Sequence, residues 1–163
     1  MKKLLLVRHA KSGWQPDIAS DFYRKLSKQG NSDASEMANL IKNSITKLDK
    51  IISSPAVRAI STAQYFANAF NIDFTKIETE IGLYEKGVQY FKKLIASQSN
   101  SLECIMFVGH NPVITHLITD ITKTEIPPLE ACSVACIDYN VYNWTDTVKN
   151  NGKLIFIEAP FEL

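Results

Sequence analysis

The chain has 163 residues, 45% hydrophobic and 21% charged, with a formal net charge of +1. That balance is ordinary for a globular protein and excludes a disordered chain, a collagen-like repeat and a coiled-coil rod. Near-neutral charge gives no electrostatic footprint for nucleic acid or an anionic membrane, so any phosphate affinity must come from a few placed residues. Residues 3–7 form an apolar run of the kind that fits a strand covered on both faces. It stops at Arg8 and His9, well short of the roughly 7–15 apolar residues of a signal peptide core. Helical spacing follows over 27–41, through Ala34, Met37, Leu40 and Ile41. A short strand is predicted over 50–53, a helix over 55–70, an extended piece over 76–81 and a helix over 88–96. Residues 103–108 read as an apolar strand, 112–122 as a helix, and 134–139 and 154–158 as closing strands. The last two are close in sequence, which predicts an antiparallel edge with a hairpin-like connection. Strands alternating with helices imply an α/β fold with a mostly parallel sheet. Length and the absence of repeats or linkers imply one domain over 1–163. No stretch approaches the roughly 18–20 apolar residues of a membrane span. Of three cysteines, Cys104 and Cys136 lie in apolar runs and read as buried thiols in a reducing compartment. The expected location is cytoplasmic.

In an open α/β sheet, ligands bind beyond the carboxyl ends of the strands. Three such ends carry chemistry. Arg8-His9-Ala10-Lys11-Ser12 follows the first strand, Ser54-Pro55-Ala56-Val57-Arg58 the second, and Gly109-His110-Asn111-Pro112 the strand over 103–108. Together they supply two arginines and two of the three histidines of the chain. Ser54-Pro55 and Asn111-Pro112 each read as a helix N-cap followed by proline at the first helical position. Helix N-termini favour anions, and the planar guanidinium can hold two phosphate oxygens at once. The combination describes a pocket for a phosphoryl dianion. A histidine there can act as nucleophile, because an unperturbed imidazole keeps a neutral fraction at neutral pH. A backbone carbonyl accepting its other ring N–H would fix the tautomer.

These residues also carry a family resemblance. Leu6-Val7-Arg8-His9-Ala10-Lys11-Ser12 resembles the signature of the histidine phosphatase superfamily, and its Ala10-Lys11-Ser12 variant resembles the SixA-type phosphohistidine phosphatase branch. The segment from Asp21 through Arg24, Leu26 and Ser27 to Gly30 is similar to that branch's Asp-x-x-Arg-Pro-Leu-Thr-x-x-Gly stretch. Ser54-Pro55-Ala56-Val57-Arg58-Ala59 with Thr62-Ala63, the Leu83-Tyr84 pair, and Gly109-His110-Asn111-Pro112 resemble further motifs in order. The chain departs from the pattern at three positions, where Lys25 replaces proline, Ser27 threonine and Gln64 glutamate, and a Pro-Thr pair is missing near Ala131-Cys132-Ser133.

The resemblance implies a phosphoglycerate mutase-like α/β/α sandwich. It also implies a phosphatase that works through a covalent phospho-His9 intermediate. Arg8, Arg58 and His110 would hold the equatorial oxygens, with Lys11, Ser12 and Asn111 as further phosphate or substrate contacts. No metal and no cofactor are implied. The expected substrate is phosphohistidine on a protein partner, whose imidazole leaving group accepts a proton readily. Arg24 and Lys11 are candidate partner contacts, with solvated surface charge as the competing reading. The alternative is a phosphomonoesterase acting on a small molecule or phosphoserine. It needs a general acid, for which Glu85 is the candidate and Asp17 and Asp21 weaker ones; a solvated loop carboxylate is the competing reading for Glu85. A second alternative is a non-catalytic phospho-binding module, against which the paired histidines argue. Only residues 71–87 separate the second helix from the third, which suits an open pocket.

Other constellations are weaker. His116 lies six residues beyond His110, so helical spacing turns it away from the site. His9, His110 and His116 lack the spacing of a zinc helix. No cysteine begins a Cys-x5-Arg run. Cys132 and Cys136, four apart in a predicted strand, read as packing residues on one face. Trp14 and Trp144 read as packing residues as well.

Overall fold

Successive residues of a strand point to opposite faces, so an unbroken apolar strand must be covered twice. The first strand obeys this rule. In the computed structural model, which describes residues 1–17 and 20–161, β1 (Lys2–Arg8) sends Leu5 and Val7 to one face of the sheet and Leu4 and Leu6 to the other. All four are fully buried. The other strands are β2 (Lys50–Ser53), β3 (Glu78–Thr79), β4 (Cys104–Gly109), β5 (Val134–Tyr139) and β6 (Lys153–Glu158). They form one six-stranded sheet in the order β3-β2-β4-β1-β5-β6. The pairings from β3 to β1 are parallel, and β5 is antiparallel to both neighbours. The expected mostly parallel sheet with an antiparallel margin is therefore present.

Five helices are α1 (Lys28–Ser44), α2 (Val57–Ala69), α3 (Gly82–Glu85), α4 (Val88–Ala96) and α5 (Val113–Thr122). The stripe Ala34, Met37, Ala38 and Ile41 of α1 joins Ala59, Ala63, Phe66 and Ala67 of α2 on one face of the sheet. Phe91 and Ile95 of α4 join Ile114, Leu117, Ile118 and Ile121 of α5 on the other. The result is the three-layer α/β/α sandwich. No helix among the described residues is long and apolar enough to cross a membrane.

Several local expectations need correction. The 140–152 connection joins the antiparallel neighbours β5 and β6 as expected, but through a long loop that contains a 3-10 turn, Trp144–Val148, rather than a tight turn. Trp144 is fully buried there and its indole donates to the Leu102 carbonyl at 2.9 Å. A buried ring with a satisfied N–H is worth more than a tight turn. Trp14, by contrast, is exposed rather than packed. Cys132 is not in a strand; it precedes β5 with a φ of 65° and is buried, like Cys104 and Cys136. Neither predicted proline-led cap forms. α2 begins at Val57 behind Ala56, and α5 at Val113 behind Pro112, without side-chain caps. Ser54 Oγ accepts from Ala56 N at 3.2 Å just ahead of α2 and also bonds the His110 ring, while the Asn111 side chain goes to the Leu129 carbonyl. The short α3 and the 3-10 turns Asp21–Tyr23 and Phe74–Lys76 were not anticipated. One turn of helix is too short to show a period.

The segment after β1 is fastened to the start of α1. Ser27 caps α1, its Oγ accepting from Gly30 N at 2.9 Å, and Ser27 N donates to the Lys11 carbonyl at 2.9 Å. A Cβ on Gly30 would sit 2.0 Å from that carbonyl oxygen. Ala normally gains up to about 1 kcal/mol over Gly inside a helix. Here the clash is with backbone and outweighs that gain. Gly30→Ala is expected to destabilise the fold by about 1–3 kcal/mol in urea unfolding. An unchanged or raised midpoint would contradict this packing.

Candidate active site

The parallel strands β1, β2 and β4 end side by side, because Arg8 pairs with Gly109 and Ser53 with Val108. That register brings the three loops singled out in the sequence together. His9 follows β1 directly. Its amide donates to the Gly109 carbonyl at 3.0 Å, and the Cys132 amide donates to both the Arg8 and His9 carbonyls at 3.1 Å. The chain at His9 is thus held from both sides. Thr62 adds a third tie: its hydroxyl accepts from Ala10 N at 3.0 Å and donates to the Arg58 carbonyl at 2.8 Å. Thr62 is one helical turn beyond Arg58, so the i, i+4 spacing carried the signal for this link.

The His9 ring is buried, and its partners determine where its proton sits. Nδ1 lies 2.7 Å from the Ala10 carbonyl, which can only accept. Nε2 lies 3.2 Å from Arg58 Nε, which can only donate. The ring is therefore the neutral Nδ1–H tautomer with its lone pair on Nε2. Burial lowers its pKa to about 4; the Arg58, Arg8 and Arg24 charges act in the same direction and the Ala10 hydrogen bond opposes them. His110 lies beside it, with ring centroids 5.0 Å apart. Its Nε2 is hydrogen-bonded to Ser54 Oγ at 2.8 Å, and its Nδ1 is 3.5 Å from Arg58 Nη2. Burial, then His9 and Arg58, lower its pKa to about 3, with Asp21 opposing.

Around the two rings lies an open pocket of about 580 Å³. Arg8, His9, Lys11, Ser12, Arg24, Arg58, Tyr84, His110 and Asn111 line it. Arg8 Nη1 donates to the Leu129 carbonyl at 2.6 Å, while its Nε is buried and has no hydrogen-bond partner among the described residues. Asn111 donates to the same carbonyl at 2.9 Å and accepts from Thr115 at 3.0 Å. Arg58 is buried and ion-paired to Asp21 at 2.8 Å. Arg24 Nε lies 3.0 Å from the other Asp21 oxygen, without hydrogen-bond alignment.

The structure thus gathers Arg8, His9, Lys11, Ser12, Arg58, His110 and Asn111. It does not bring Glu85 to them. Glu85 is exposed at the end of α3 and does not line the pocket; its neighbour Tyr84 does, with its ring 5.3 Å from that of His110. Asp17 is exposed and outside the pocket as well. Asp21 is engaged by Arg58. Burial pushes its pKa up, but the hydrogen bonds and charge of Arg58, with Tyr84 and Arg24, hold it below the ordinary carboxylate value. His116 is exposed beside a separate groove with Thr119 and Asp120. The sequence assigns no role to Tyr84 or Thr62, and it points to Ser54 as a helix cap and not as a partner of His110.

This arrangement offers a neutral imidazole lone pair beside fixed cationic donors, the requirements of a nucleophile for a phosphoryl dianion. Known proteins resemble the chain in sequence and in fold. Phosphohistidine phosphatase SixA of Escherichia coli K12 is 22% identical over 134 residues, 78% of each chain. A crystal structure from Agrobacterium tumefaciens, provisionally assigned as phosphohistidine phosphatase SixA, matches with a TM-score of 0.80 and 27% identity. The match covers 98% of this chain and 99% of that one. The protein histidine phosphatase SixA complexed with tungstate shares the fold at a TM-score of 0.74 and 20% identity, over 97% of both chains. Residues 4–89, more than half of the chain, match the family model of the histidine phosphatase superfamily (branch 1). The chain belongs to the histidine phosphatase superfamily.

Proposed function

We propose that the protein hydrolyses phosphohistidine on a protein partner through a phospho-His9 intermediate. The observation that carries this reading is the tautomer of His9, whose Nε2 lone pair faces the cationic pocket. In the resting site Arg58 Nε covers that lone pair. A phosphoryl oxygen of the substrate takes over the Arg58 N–H and leaves Nε2 free to attack. The new N–P bond forms in line as the bond to the leaving imidazole breaks. The leaving nitrogen then takes a proton from solvent. Water attacks the phosphoenzyme in the second step and releases inorganic phosphate.

Arg8 and Arg58 stabilise the equatorial oxygens as charge develops. The unpartnered Arg8 Nε is a donor suited to one of them. His110 is hydrogen-bonded to Ser54 through Nε2. With a proton on Nδ1 it donates to a phosphoryl oxygen, and an entering dianion favours protonation of the ring by opposing the burial and arginine charges that lower its pKa. The position of Glu85 supports the phosphoramidate reading over the ester alternative. An alcohol leaves poorly without a proton donor, and among the described residues no carboxyl group stands free on the pocket wall. The arginines supply the positive charge that metal ions supply in other phosphoryl transfers, so the activity is expected in EDTA.

The test is phosphate release, in EDTA, from a phosphohistidine-bearing protein and from a phosphoserine peptide. Faster release from phosphohistidine is expected, with the activity lost in His9→Ala. Arg58→Ala is expected to lower kcat by roughly 100- to 1000-fold. Equal or faster release from the phosphoserine peptide would move the reading to a general phosphomonoesterase, and no release from either would leave the phospho-binding module. The state of the nucleophile is testable separately by NMR. With folded pKa values of about 4 and 3, the His9 and His110 ring signals of the ligand-free protein should not move between pH 8 and pH 5.5. A titration of either ring centred near pH 6.5 would contradict the neutral, buried pair.

A further inference from the structure

Arg58 presents two edges, and they face different partners. Its Nη1–Nη2 end is held by Asp21: Nη1 donates to the Asp21 carbonyl at 2.7 Å and Nη2 to Asp21 Oδ2 at 2.8 Å. Its Nε–Nη2 side faces the two histidines, at 3.2 Å from His9 Nε2 and 3.5 Å from His110 Nδ1. The guanidinium is planar and its donors form a rigid fork, so fixing one edge sets the direction of the other. Asp21 is itself fixed. It opens the 3-10 turn Asp21–Tyr23, its Oδ2 accepts from Tyr84 OH at 3.1 Å, and Phe22 packs edge-on against the Tyr84 ring at 5.2 Å.

Resting on the reading of His9 as nucleophile, we propose that Asp21 is a positioning residue: it grips the far end of Arg58 so that the Nε–Nη2 edge presents two parallel donors to the phosphoryl group. Two other roles are open to a carboxylate here, and the geometry disfavours both. A general acid must carry a proton, whereas Oδ2 accepts two hydrogen bonds and Oδ1 lies against the Arg24 guanidinium. A competitor that occupies the phosphate site would take the edge facing His9, whereas Asp21 takes the opposite end. Removing the Asp21 side chain leaves Arg58 Nη1 on the residue 21 carbonyl but takes away the Nη2 partner, so the buried guanidinium can turn about that single bond. Misplacement of about 1 Å at a reacting centre costs up to about 100-fold in rate.

The experiment compares wild type, Asp21→Ala and Asp21→Asn on aryl phosphates of graded leaving-group pKa, with inhibition by inorganic tungstate measured alongside. Asp21→Ala should lower kcat/KM by up to about 100-fold, by the same factor along the series, mainly through kcat. Tungstate should inhibit it less well than wild type. Both variants keep the backbone carbonyl, and Asp21→Asn also keeps a side-chain oxygen for Arg58 Nη2, so it should restore most of the loss. A loss that grows with leaving-group pKa and is not relieved in Asp21→Asn would overturn the proposal in favour of a general acid. Tighter tungstate inhibition in Asp21→Ala would overturn it in favour of a competing anion, and unchanged kinetics would reduce the pair to surface charge. Tyr84→Phe, which loosens Asp21 without removing it, should shift kcat a few-fold in the same direction and serves if Asp21→Ala does not fold. If wild type releases no phosphate from any substrate, the phosphatase reading fails. Tungstate affinity measured by calorimetry then decides for Asp21 alone: weaker binding in Asp21→Ala supports it, and equal or tighter binding overturns it.

Discussion

The hydrogen bond from His9 Nδ1 to the Ala10 carbonyl is the interaction on which the site depends. Imidazole has two nitrogens, and only one can hold a lone pair toward the pocket. A carbonyl cannot donate, so it dictates which one. The bond requires the chain at residues 8–10 to keep one conformation, and the surrounding structure is arranged around that requirement. β4 and the Cys132 segment bind the backbone of Arg8 and His9, Thr62 binds Ala10, and the α1 N-terminus binds Lys11. Gly30 is needed because the Lys11 carbonyl comes too close for any side chain.

The electrostatics follow from the same packing. The pocket collects arginines and neutral histidines on a chain whose total charge is nearly zero. Burial and the guanidinium groups keep protons off both rings. That is the state in which an imidazole can attack phosphorus, and the arginines carry the positive charge that draws in a dianion. Asp21 partly offsets the positive field and at the same time directs Arg58. Openness matters as well. With few residues over the pocket, the reacting centre can meet a phosphoryl group carried on the surface of another protein.

Much of this was legible in the residues. Apolar runs gave the strands, and the strand ends gave Arg8, His9, Arg58, His110, Lys11, Ser12 and Asn111, because a parallel sheet gathers the carboxyl ends of its strands. What the residues could not carry was direction. Ser54-Pro55 and Asn111-Pro112 have the composition of helix caps, yet Ser54 serves His110 as well as the local Ala56 N–H, and Asn111 serves the Leu129 carbonyl. Local capping and tertiary hydrogen bonding draw on the same side chains, and spacing does not say which one wins. Glu85 and Tyr84 are adjacent, and a single turn of helix decides that the tyrosine faces the pocket and the carboxylate faces solvent. Asp21 was legible as a carboxylate near the site but not as the partner of Arg58, 37 residues away.

The nucleophilic role of His9 is tested most directly by trapping the intermediate. The protein is mixed with a phosphohistidine-bearing partner, quenched in alkali during turnover, digested and mapped by mass spectrometry. The account predicts a phosphoryl group on the peptide that contains His9, stable in alkali and lost in acid, and absent from His9→Ala. Turnover in wild type with no labelled peptide, or with the label on another residue, would contradict it.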